Sequence, residues 1–107
     1  MTMADRILIV DDSATLRAPV DYTLSEAGYE VVQASNGKEA LELLASYGGK
    51  NDKISMIITD INMPLMDGID FIRKVKETPF KFIPILVMTT ESEESKKLEG
   101  KEAGASG

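Results

Sequence analysis

Four short apolar runs, each followed by an amphipathic stretch, constrain this chain more than any other feature of it. Ile7-Leu-Ile-Val10 is continuous and largely β-branched and runs straight into Asp11-Asp12-Ser13, so it reads as a strand buried on both faces. Ser13 is a good N-cap, and Leu16, Val20, Leu24 and Ala27 recur at helical spacing until Gly28 supplies a stop. Pro19 lies beyond the first turn of that helix and cannot donate to the Thr15 carbonyl, which predicts a kink. Tyr29 to Ala34 is a second strand, more polar and therefore placed at a sheet edge. A loop at Ser35-Asn-Gly37 leads to a second helix over Glu39 to Tyr47, carrying Ala40, Leu41, Leu43 and Leu44.

The polar stretch 48–53 is too short to be a domain linker. Ile54 to Thr59 is a third strand with Asp60 at its C-terminal end, and the loop 61–68 closes on the turn pair Asp67-Gly68. A third helix carries Ile69, Ile72 and Val75 and ends at Thr78-Pro79. Ile83 to Met88 reads as a fourth buried strand leading into Thr89-Thr-Glu-Ser92, and Ser92 to Ala103 as an acidic helix ending at Gly104. Strands that alternate with helices imply a parallel sheet covered on both faces. With right-handed crossovers the expectation is a doubly wound α/β fold, strand order 2-1-3-4, forming one domain over residues 1–107.

Composition narrows the chemistry. The 12 Lys and Arg against 18 Asp and Glu give a net charge of −6, which disfavours nucleic acid as a partner. There is no Cys and no His, so thiolate nucleophiles, sulfur- or imidazole-bound zinc and Ser-His-Asp catalysis are excluded for this chain. No apolar run approaches the roughly 18 residues that cross a bilayer, and the N-terminal residues carry no secretory signal, so the expectation is a cytoplasmic protein without membrane insertion. Oxygen chemistry remains.

In an open parallel sheet, ligands bind beyond the carboxyl ends of the strands where strand order reverses. The groups collected there are Asp11 and Asp12 after the first strand, Asp60 after the third, and Thr89 with Glu91 after the fourth. Taken alone, an Asp-Asp pair after a strand punctuates a turn and caps a helix. Beside Asp60 it becomes part of a crowd of three carboxylates. Two like charges about 4 Å apart cost several kcal/mol at an effective dielectric near 20, so the group calls for a counter-charge. Carboxylate, carbonyl and water ligands suit Mg²⁺, or Mn²⁺ in its place. A metal so held also neutralises a transferring phosphoryl group, which makes Asp60 a candidate nucleophile and Thr89 a candidate donor to a phosphoryl oxygen. Gly37-Lys38 is not a phosphate loop, since the leading Gly and the following Ser or Thr are missing.

The chain resembles the receiver domains of two-component response regulators, in particular the single-domain chemotaxis (CheY-like) type. The resemblance is carried by Ile-Leu-Ile-Val-Asp-Asp-Ser (7 to 13), Ala-Gly-Tyr-Glu-Val (27 to 31) and Asn-Gly-Lys-Glu-Ala-Leu (36 to 41). It continues through Thr-Asp-Ile-Asn-Met-Pro-Leu-Met-Asp-Gly (59 to 68), Pro-Ile-Leu-Val-Met-Thr (84 to 89) and Ala-Gly-Ala-Ser-Gly (103 to 107). It implies that Asp60 accepts a phosphoryl group from a histidine kinase. It implies that Asp12 and Asp60 ligate Mg²⁺ directly, that Asp11 helps through water, and that Asn62 contributes its backbone carbonyl. Thr89 is then the hydroxyl that moves toward the phosphoryl group, Thr90 and Glu91 flank and modulate the site, and the chemotaxis type implies the flagellar motor switch as a downstream target. Family members continue into a fifth strand with a Lys-Pro pair and a fifth helix, which these 107 residues lack, so an exposed fourth-strand edge and self-association through it are expected. Two alternatives stay open: a Mg²⁺-dependent phosphatase with an aspartyl nucleophile, and an unphosphorylated receiver-like assembly module.

Overall fold

The computed structural model describes residues 5–46, 54–60, 66, 68–88 and 104. The elements run β1 (Arg6–Val10), α1 (Ala14–Glu26), β2 (Glu30–Ala34), α2 (Gly37–Ser46), β3 (Met56–Asp60), α3 (Gly68–Lys76) and β4 (Ile85–Met88). All strand pairs are parallel, in the order β2-β1-β3-β4. The polar second strand is at an edge, as its composition predicts. The connector 48–53 and the helix expected over 92–103 lie outside the described residues.

The sheet separates two apolar clusters. Leu8, Val10, Ala34, Ile57 and Ile85 pack with Ala40 and Leu44 of α2 and with Phe71, Ile72 and Val75 of α3. On the other face Ile7, Ile9 and Ile58 pack with the half-buried Val20 and Leu24 of α1. The odd and even residues of β1 thus serve opposite layers, and this is why Ile7 to Val10 is continuously apolar and wholly buried. Helices on both faces of a parallel sheet make the doubly wound fold.

Local chemistry sets the element ends. The Ser13 hydroxyl accepts from the Leu16 amide at 3.3 Å and caps α1. Gly28, at φ +96°, ends that helix, with the Gly28 amide on the Ser25 carbonyl and the Tyr29 amide on the Leu24 carbonyl, both at 3.1 Å. Pro19 lies inside α1 without ending it. The second helix starts two residues earlier than its apolar spacing predicts, because the Asn36 side chain caps it by accepting from the Glu39 amide at 2.8 Å.

Along α1, Val20 and Leu24 are half-buried against the sheet while Leu16 is 44% exposed. One expectation needs correction. The fourth strand is buried on one face only among the described residues: Ile85 is fully covered and Leu86, pointing the other way, is 37% exposed.

Candidate functional site

Strand register brings the acidic residues together. Val10 of β1 is the partner of Thr59 in β3, so the next residues along the two strands, Asp11 and Asp60, emerge side by side at the carboxyl end of the sheet. The Asp11 amide extends the ladder to β2 by donating to the Ala34 carbonyl at 3.1 Å. Beyond it the chain turns into α1, and Asp12 stands at that turn. One carboxylate oxygen from each of Asp11, Asp12 and Asp60 lies within 4.8 Å of the others. Asp11 is buried, Asp60 half-buried and Asp12 exposed, so the cluster opens to solvent on the Asp12 side.

The Asp11 side chain is held by the Ser13 amide, which donates to Oδ1 at 2.9 Å. Burial raises the Asp11 carboxyl above its ordinary value. The Ser13 hydrogen bond pulls the other way, the hydrogen bond and negative charge of Asp12 raise it further, and the charge of Arg17 lowers it. The cluster gathers three carboxylates within 4.8 Å of one another at a partly buried strand end, an arrangement that a cation would favour. Its donors are oxygens only, which fits a small hard divalent cation of the Mg²⁺ type. Thr59, fully buried at the end of β3, donates its hydroxyl to the Asp60 carbonyl at 2.9 Å and steadies the strand end that presents Asp60.

Among the described residues, the structure thus assembles Asp11, Asp12 and Asp60 from positions 49 residues apart in sequence, 60 against 11. Asn62, Thr89, Thr90 and Glu91 lie outside the described residues. Sequence reasoning missed Arg17 and Gln33. The Arg17 guanidinium donates to the Asp11 main-chain carbonyl and, at 2.8 Å, to the Gln33 side-chain oxygen. Their signal was available: a polar stripe of Arg17, Asp21 and Ser25 at four-residue spacing, facing the strand that holds Gln33.

Comparison with known proteins adds an independent line. The response regulator receiver domain profile matches residues 7–107. The chain is 42% identical to chemotaxis protein CheY1 of Helicobacter pylori over 101 residues, covering 92% of this chain and 78% of that protein. It is 35% identical to the alkaline phosphatase synthesis transcriptional regulatory protein PhoP of Bacillus subtilis over 103 residues, covering 96% of this chain and 40% of that one. Among solved structures, the Vibrio cholerae chemotaxis protein CheY4 superposes with a TM-score of 0.84 at 42% identity, over 96% of this chain and 82% of that chain.

Proposed function

The chain belongs to the response regulator receiver family, and we propose that it is a phosphorylation-switched signalling module that accepts a phosphoryl group on Asp60 from a partner histidine kinase. The observation that carries this reading is the convergence of Asp11, Asp12 and Asp60 at the carboxyl ends of β1 and β3. An Asp60 carboxylate oxygen attacks phosphorus of the kinase phosphohistidine; the P–N bond breaks, the imidazole nitrogen leaves and takes up a proton, and an acyl phosphate remains on Asp60. Water later hydrolyses that acyl phosphate, returning the carboxylate and inorganic phosphate. Asp12 and Asp60, with Asp11 through water and the Asn62 carbonyl, would hold Mg²⁺, or Mn²⁺ in its place, which supplies charge neutralisation for the phosphoryl oxygens. Thr89 is the hydroxyl that follows the phosphoryl group, and Thr90 and Glu91 modulate access to it.

In this reading residues 1–107 act as one receiver domain in the cytoplasm, and its chemistry is phosphotransfer to itself and self-dephosphorylation rather than turnover. The output is a changed protein-binding face around β4 and the segment after it. Relatives named for chemotaxis make a chemotaxis target such as the flagellar motor switch the downstream partner we favour. The test is intact mass with and without acetyl phosphate and Mg²⁺. One added phosphoryl group, absent in Asp60→Asn, is expected; labelling that survives Asp60→Asn overturns the assignment. Sustained release of phosphate from small phosphoesters would instead favour an aspartyl phosphatase.

A further inference from the structure

A polar relay runs from the body of α1 to the main chain of the acidic cluster. Arg17 donates through Nη1 to the Asp11 carbonyl and through Nε to Gln33 Oε1 at 2.8 Å. Gln33 Nε2 donates to Asp21 Oδ2, and Asp21 Oδ1 accepts from the Ser25 hydroxyl at 2.8 Å. Arginine offers only donors and an ionised aspartate only acceptors, so an amide with its oxygen toward Arg17 and its nitrogen toward Asp21 satisfies both. The guanidinium is thereby aimed, and its remaining arm reaches the point where the chain leaves β1. Asp11 is then fixed at three places: its amide on β2, its carbonyl on Arg17 and its carboxylate on the Ser13 amide.

We propose that Arg17, aimed by Gln33 and Asp21, is a positioning residue that sets where the Asp11 carboxylate stands and so sets the cation affinity of the acidic cluster. The inference rests on the receiver reading for the identity of the cation. Charge and position make opposite predictions here. As a bare positive charge near the cluster, Arg17 opposes a cation, and its removal should tighten binding. As a clamp, its removal lets Asp11 wander and weakens binding, in the range of about tenfold that outer partners of metal ligands typically contribute.

The experiment is a calorimetric Mg²⁺ titration of the unphosphorylated full chain, beside amide hydrogen exchange without cation. Arg17→Met and Gln33→Leu are expected to weaken Mg²⁺ binding about tenfold, and Arg17→Lys, which keeps the charge but loses the fork, to weaken it as well. The exchange of the Ser13 amide should quicken in all three. The double variant Gln33→Glu with Asp21→Asn reverses only the hydrogen bond between positions 33 and 21, at constant net charge, keeps Arg17 and Ser25 as donors with acceptors to meet them, and is expected to keep the parent affinity. Affinity in Arg17→Met equal to or tighter than the parent overturns the proposal, as does unchanged Ser13 exchange in Arg17→Met and Gln33→Leu. A parent chain that takes no Mg²⁺ while its Ser13 exchange still depends on Arg17 and Gln33 would overturn the receiver reading and the affinity claim, but leave the clamp standing.

Discussion

Gly37 and Met66 touch so closely that a Cβ on Gly37 would lie 2.9 Å from the Met66 sulfur and 3.2 Å from its Cβ. Gly37 opens α2, and Met66 belongs to the segment between Asp60 and α3. In a free helix, alanine for glycine is favourable by about 1 kcal/mol. Here the added methyl meets the root of a side chain as well as its flexible end. Gly37→Ala is expected to destabilise by about 1–2 kcal/mol, the range of overpacking, and Met66→Ala in the same background should recover part of the loss, since it removes the sulfur and Cγ contacts but keeps the Cβ at 3.2 Å. Urea unfolding of the four combinations measures the coupling.

Gly28 is the opposite case. A Cβ there meets nothing within 4 Å, yet φ is +96°. The cost of Gly28→Ala is therefore conformational alone, about 1–2 kcal/mol, and Gly28→Asn should lose less, because asparagine tolerates the left-handed region. Thermal unfolding of the two variants ranks them.

Asp11 makes stability depend on pH. Its carboxyl is raised in the folded protein, chiefly by burial, with Asp12 adding to the shift and the Ser13 amide and Arg17 opposing it. The folded state therefore binds the proton more tightly than the unfolded state. That contribution is fully present below the ordinary value of 3.8 and is lost as pH rises through the folded pKa. Above the folded pKa, without cation, keeping Asp11 ionised in its buried position beside Asp12 is a fixed destabilisation. Asp11→Asn, which still accepts from the Ser13 amide, should raise the Tm of the cation-free chain at pH 7. At pH 3 the difference should vanish. Scanning calorimetry at both values checks the sign.

Cation binding should show as stability. At a Mg²⁺ concentration about 100 times the dissociation constant, a site present only in the folded state adds about 2.7 kcal/mol. Chelation should remove that gain, and Asp12→Ala should abolish it without lowering the cation-free Tm, because Asp12 is exposed and its loss relieves the repulsion on Asp11. A Tm insensitive to Mg²⁺ in the parent chain would count against the metal site.

The chain's own residues determined much of this protein without reference to any fold. The continuous apolar run Ile7 to Val10, joined to helical spacing at Leu16, Val20, Leu24 and Ala27, identifies a strand buried on both faces followed by a helix with one apolar side. Aspartates that end strands, rather than interrupt helices, marked Asp11, Asp12 and Asp60 as a candidate group, since parallel strands deliver their carboxyl ends to one edge. Only the tertiary structure decided the rest. Pairing of Val10 with Thr59 is what sets Asp11 beside Asp60, and strand register depends on packing summed over both faces rather than on any local signal. The Arg17–Gln33–Asp21 relay joins a helix to a strand across residues 12 and 16 apart. Its polarity was invisible in the sequence, because a hydrogen bond between layers exists only once burial has brought the layers together.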